Sequence, residues 1–375
     1  MTNVVDAGLL AVVEPVVDEA RRVIAGRIAD GGYLPTISRW TSLGRLDSGF
    51  PRVSFSVMSS EKPDYQYLFS PEGRDYGRVA WTELPSLPSL FEYVRSRPEL
   101  SRRITFVTSD ENADEREVRW FEIGVATVPL SLTDRLVHLY GPGFTHEQML
   151  SVYSQIETGI LADRLPVELW APLVLTRFEG ATEVALADRI SIRRIPDELQ
   201  LARVPDHVFG GAVHELVMQA ATHAVVITGL EMPNENRWVL PTNQPLFYPV
   251  ADIDRVLDAT RIAVPVATGY AQVFLRPVGW AHSFVADLPS VMEGAMLRRY
   301  PPRFDERGWL DVPEQCVSGD DLGRVARIHT QLATAAARLR LAARRLSNAA
   351  LRSDERCVAT SPMRSSICAS RWNLR

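Results

Sequence analysis

The residues with the most obvious chemical potential are three histidines, His207, His214 and His223, spread over seventeen positions with Asp206 and Glu215 among them. Imidazole with carboxylate is the donor set of a zinc site or a general base. A metal-binding helix built on His214-Glu215 needs a second histidine at position 218, which is Met218. The three read as separate polar or core histidines, and no metal site is expected. Cys316, Cys357 and Cys368 are too few and too irregularly spaced for a disulfide framework or a cysteine zinc site. Gly141-Pro142-Gly143 is a turn without a following Lys-Ser/Thr. The chain carries no phosphate loop, dinucleotide fingerprint or Gly-x-Ser-x-Gly elbow, and no cofactor is expected. Trp170, Trp238, Trp280 and Trp309 are scattered and read as packing residues rather than a base-stacking platform.

What remains is charge. Of 41 basic residues only Lys62 is lysine, a bias that a GC-rich genome produces without any functional cause. The net charge of −5 gives no general attraction for nucleic acid. Locally, Arg338, Arg340, Arg344, Arg345 and Arg352 place five cations within fifteen residues, before the first acid at Asp354. Guanidinium forks suit phosphate oxygens, so Arg338, Arg344, Arg345 and Arg352 are candidates for nucleic-acid binding. A solvated helix face in an Arg-biased chain is the other reading of the same residues.

The elements that must position these residues follow from pattern. At 375 residues and 46% hydrophobic, the chain has globular composition and enough length for one to three domains. No basic-then-apolar leader opens it. The apolar stretch 7–17 contains Glu14 and Pro15 and is too short to span a bilayer. A soluble, cytoplasmic bacterial protein without membrane association is expected.

The first thirty residues repeat apolar side chains at three- and four-residue steps and stop at Gly31-Gly32, which predicts a helix. Strands are expected at 52–57 and 65–69, then at 104–107 and 118–128, with a polar loop at 109–117 between the last two. Thr145–Leu161 is an expected helix with Thr145 as its cap. Strands follow at 169–178, 190–195, 223–230, 271–277 and 278–286, with short helices at 196–198 and 252–259.

Pro301, Pro302, Gly308 and Pro313 cluster helix and strand breakers, so a boundary is placed there. Beyond it, Ser318 and Asp321 form a capping-box start. From Leu322 to Leu351 one apolar stripe runs without proline, which predicts a single helix of about thirty residues, roughly 45 Å long. The last residues, ATSPMRSSICASRWNLR, have no apolar period and cannot supply a helix to pack on it. Back-translated with GC-favoured codons from the third base of the Ala359 codon, the tail yields Asp-Leu-Thr-Asp-Ala-Val-Ile-Asp-Met-Cys-Ile-Ala-Leu-Glu, which does carry such a stripe. The tail 359–375 is therefore expected to be an aberrant, disordered frameshift product.

The segment from Arg344 to Val358, ArgArgLeuSerAsnAlaAlaLeuArgSerAspGluArgCysVal, resembles the entry to an Apea-like HEPN domain. The shifted frame resembles the helix that follows it in that family. The resemblance implies an all-α, often dimeric bundle, and metal-independent RNA cleavage through an Arg-x(4–6)-His motif in bacterial defence or toxin systems. Histidine would move the ribose hydroxyl proton, and arginine would stabilise charge on phosphorus. Here the later helices are missing, which implies a nuclease-inactive, truncated form. Arg324 with His329 and Arg276 with His282 match the motif spacing, but with so many arginines about two matches arise by chance. Five residues on a helix also turn Arg324 about 140° away from His329.

The expected architecture is α+β: a mixed region over 1–310 in one or two domains, the start of a HEPN-like helical domain over 314–358, and the tail. RNA is one expected partner, and a homodimer through the C-terminal helix is another. The rival function is a non-enzymatic ligand- or protein-binding module with a helical dimerisation element.

Overall fold

The computed structural model describes residues 6–38, 41–45, 51–54, 61–73, 77–105, 114–174, 176–180, 183–200, 202, 221–236, 240, 242, 245–264, 266, 268–282, 284, 287–299 and 315–359. The breaker cluster 301–313, His207, His214, Trp238, Trp309 and the tail after Ala359 lie outside these residues.

Helix α1 (Ala7–Ala29) begins at Asp6, whose carboxylate accepts from the Gly8 and Leu9 amides at 2.9 and 3.0 Å. Of the expected stripe, Leu9, Val13, Val16, Val17, Ala20 and Ile24 are buried, and Leu10 and Val23 are half-buried. The chain leaves the helix through Gly31 at φ 61°, a left-handed conformation that costs glycine little. Short strands follow: β1 (Thr36–Ser38), β2 (Thr41–Arg45), β3 (Pro51–Ser54), β4 (Glu61–Pro63), β5 (Phe69–Ser70) and β6 (Val79–Ala80). They pair as β1 with β4, β2 with β3, and β5 with β6. The described part of the expected strand at 52–57 is β3. Its expected partner at 65–69 is a turn up to Leu68. The Tyr65 amide is drawn instead to the Asp134 carboxylate at 2.8 Å, and the Tyr67 amide to Asp64 at 2.8 Å.

Helices α2 (Leu87–Arg95), α3 (Pro98–Ile104), α4 (Glu115–Tyr140) and α5 (His146–Leu161) complete a helical layer around α1. Here one expected strand is corrected: residues 118–128 lie inside α4. Of the strand expected at 104–107, Ile104 ends α3, and residues 106–107 lie outside the described residues. Asp114 and Glu117, read as loop, form the capping box that starts α4. Phe121, Val125, Val128, Leu132 and Leu136 then recur at helical steps and are buried. The β-branched residues suggested a strand, but their helix penalty is a few tenths of a kcal/mol each, less than a cap and a buried stripe provide. Gly124 within α4 marks a close approach, since a Cβ there would sit 3.2 Å from the Thr105 methyl.

The second half is built on a sheet. Strands β7 (Arg164–Pro172), β8 (Thr176–Phe178), β9 (Glu183–Ala187), β10 (Ile190–Arg194), β11 (His223–Pro233), β12 (Tyr270–Pro277), β13 (Met292–Arg299) and β14 (Gln315–Val317) are joined by helix α6 (Val250–Ala263). Six of them form an antiparallel sheet in the order β13-β12-β7-β11-β10-β9, and β8 pairs with β14 in parallel. The fold is mixed α+β. The strand expected at 278–286 is corrected: the partner of β12 is β13. After Pro277 the chain turns at Gly279, φ 76°, and sends Trp280 into the core, where its indole N–H donates to the Pro166 carbonyl at 2.7 Å. Burying an aromatic ring with a satisfied N–H outweighs two or three ladder bonds.

Helix α7 (Gly319–Thr334) starts at the expected Ser318/Asp321 capping box. The single helix expected from Leu322 to Leu351 is corrected: it divides at Ala335, whose ψ of 147° is extended, and continues as α8 (Ala337–Ala359). Nothing in the local sequence forces the break. Both halves pack against α6, which at fourteen residues is about 21 Å long. A straight helix of twice that length would carry its second half past α6. No helix among the described residues is long and apolar enough to cross a membrane.

The helical layer and the sheet meet at Gly159 on α5. The Ala281 amide donates to Gln155 O at 2.9 Å, and Asn234 Nδ2 donates to Gly159 O at 2.9 Å. A Cβ on Gly159 would lie 2.7 Å from Ala281 O and 3.1 Å from the Trp280 ring. Gly159→Ala should therefore lower unfolding stability by about 1–3 kcal/mol, although alanine favours a helix by about 1 kcal/mol. Urea unfolding checks this, and unchanged or raised stability would contradict the junction geometry.

Candidate functional site at the α6–α7–α8 junction

Helix α6 carries two faces. Ile253, Val256 and Leu257 are buried in the sheet core together with Leu322 and Val325 of α7. Asp254, Asp258 and Arg261 recur at four and three residues and so form a polar row on another face. That row seats α8. The Arg344 guanidinium lies 3.2 Å from Asp254 and 3.7 Å from Asp258. The Tyr270 hydroxyl donates to Asp254 at 3.1 Å. Arg261 is buried, donates to the Thr268 carbonyl at 3.1 Å and reaches Ser347 Oγ of α8 at 3.4 Å. Burial pulls the Arg261 guanidinium below its ordinary value, and Asp258 and Asp254 oppose that pull.

The expected nucleic-acid residues are thus divided by the fold. Arg344 is half-exposed but reaches the acids of α6. Arg338 and Arg345 are exposed, with no ion pair among the described residues. The side chain of Arg352 lies outside the described residues. Leu339, Leu341 and Leu346 are 63%, 53% and 57% exposed. Leu339 and Leu346 of the expected stripe therefore face away from the body, and the polar edge is the one that docks.

Between the three helices lies a cavity of about 300 Å³ lined by Ala251, Arg255, Asp258, Leu332, Arg340, Leu341, Ala343 and Arg344. Arg255 is held by Asp252 at 2.9 Å. A second cavity, of about 420 Å³, is bounded by Asp6, Arg97, Glu99, Arg103 and Leu161. Its arginines serve the framework: Arg103 donates to Leu161 O at 2.8 Å at the end of α5, and Arg97 lies 3.6 Å from the Tyr93 ring centre.

Arg324 and His329 are not brought together. Arg324 is exposed and paired with Asp321, and that hydrogen bond, with Ser318 helping, holds the Asp321 carboxyl down at about 2. His329 is 1% exposed. Neither of its ring nitrogens makes a well-formed hydrogen bond among the described residues. Of the second pair, Arg276 faces Glu168 at 3.5 Å, and the His282 amide donates to Ser290 Oγ at 3.1 Å. Within the histidine cluster only His223 is described; it is buried, with Nδ1 2.9 Å from the Thr222 hydroxyl. No group of three or more potential metal ligands occurs among the described residues. Trp170 and Trp280 are buried packing residues, and Cys316 is exposed.

Sequence reading missed the α6 row. Its signal was present: Asp254, Asp258 and Arg261 share one face of a helix whose opposite side is apolar, and a partner with complementary charge is what such a row selects. No protein-family model, curated protein or solved structure matches the chain.

Burial lowers the His329 pKa from its ordinary 6.5, and Arg255 adds to the effect, while backbone Leu186 and Asp252 oppose it. The unfolded chain then binds a proton that the folded chain refuses. Stability should be full above pH 6.5 and fall as the pH drops from there toward the lowered folded value. His329→Gln should flatten that slope in urea unfolding between pH 5 and 7. An unchanged slope would show that another group carries it.

Proposed function

We propose that the chain is a non-enzymatic interaction module that presents α8 as a docking helix for a second copy of itself. The exposure of Leu339 and Leu346 carries this reading. They stand seven residues apart with Ala342 between them and Ala349 beyond, a short run of the repeat that pairs helices. Arg344, on the opposite side of the helix, is already engaged by α6. In a parallel pairing the flanking Arg338 would face Ala343 rather than another arginine, so charge there does not oppose association. Large exposed apolar groups on one helix edge support a protein interface more than a solvated surface. Light scattering over a dilution series should show a concentration-dependent dimer, and Leu339→Glu with Leu346→Glu should abolish it without altering the circular dichroism. A monomer up to about 100 µM would exclude the homodimer.

RNA contact is a second reading, supported by the exposed Arg338 and Arg345 and by the HEPN-like segment they lie in. On that reading, Arg338→Ala with Arg345→Ala should reduce the salt slope of binding to a single-stranded RNA by about 1.5. An unaltered affinity and slope would remove both arginines from RNA contact.

A further inference from the structure

The cavity between α6, α7 and α8 has a charge and a lining that select a ligand. Its charged lining is Arg255, Arg340, Arg344 and Asp258, and among the described residues Asp252, Asp254 and Arg261 stand next to these. Arg255 is matched by Asp252 at 2.9 Å, and Arg344 by Asp254 and Asp258 at 3.2 and 3.7 Å. Asp254 and Asp258 also lie within electrostatic reach of Arg261. One positive charge is left over. Arg340, which lines the cavity, makes no ion pair among the described residues and is the group free to supply it.

The remaining walls are Ala251, Leu332, Leu341 and Ala343. They would shelter an aliphatic chain of a few carbons, and about 300 Å³ is at the small end of ligand cavities. A planar carboxylate accepts two parallel N–H bonds from one guanidinium, which suits a single available arginine. A phosphomonoester dianion would leave a charge uncompensated beside the aspartates.

We propose that this cavity binds a small aliphatic monocarboxylate through Arg340, with the chain lying on Leu332, Leu341 and Ala343. The same headgroup and side chain occur in a free branched acid and at the C-terminus of a peptide ending in leucine. Leu339 and Leu346 do not line the cavity, so ligand binding and self-association are separable.

Calorimetric titration of the full chain with isocaproate, its amide, acetate, inorganic phosphate and N-acetylglycyl-leucine tests the proposal. Isocaproate should bind, and the amide and acetate should each be weaker by about tenfold or more. Arg340→Ala should weaken isocaproate by about tenfold while leaving thermal unfolding unchanged, since Arg340 is exposed; Arg340→Lys should restore part of the loss. Tighter binding of isocaproate than of the dipeptide identifies a free acid as the source, and the reverse identifies a chain terminus. No binding of isocaproate or the dipeptide at about 10 mM, equal binding of the amide, or indifference to Arg340→Ala would overturn the site. Tighter binding of phosphate than of any carboxylate would replace it with a dianion site.

Discussion

The helices that follow the sheet depend on how they seat on α6. That helix has to bury Ile253, Val256 and Leu257 in the core while holding three charged side chains, Asp254, Asp258 and Arg261, along another edge. Leaving those charges under a helix without partners would cost several kcal/mol. Arg344 and Ser347 of α8 answer them. The pairs are partly exposed on the Arg344 side, so each contributes about 1 kcal/mol at most. Their role is orientation more than stability. By turning the polar edge of α8 inward they leave its leucines outside.

The same constraint explains the break at Ala335. Apolar burial of Leu322 and Val325 fixes α7 on α6 and beside β9. The charged row then draws the following residues back along α6. A bend of two residues costs little helix energy in an alanine-rich stretch, and it allows both sets of contacts. His329 is fixed by this arrangement too: it lies on the packed side of α7, against a helix that presents Arg255, and burial there disfavours its protonated form.

Much of the local structure was legible in the sequence. The helix at 7–29 with its glycine stop, the Thr145 cap and the Ser318/Asp321 box all follow from rules that act within a few residues, and the structure places them as read. Strands β10, β11 and β12 were legible because their apolar runs are short and bounded. What could not be read were choices made by distant partners. Residues 118–128 have a strand-like composition and become helix because a cap precedes them and a helical layer buries them. Trp280 leaves the ladder because the Pro166 carbonyl and the α5 backbone receive that segment. In the candidate site, the arginines of α8 were visible as a basic run. Their division into inward and outward groups was not, since it depends on aspartates ninety residues away.

Helix α8 is held on α6 by its polar edge, with Arg344 between Asp254 and Asp258. Amide hydrogen exchange along α8 tests it most directly. Slow exchange is expected for residues 341–347 in the native chain, with marked acceleration confined to α8 when Asp254→Asn and Asp258→Asn are combined. Exchange at unfolded-chain rates in the native protein, or protection unchanged in the double variant, would contradict it.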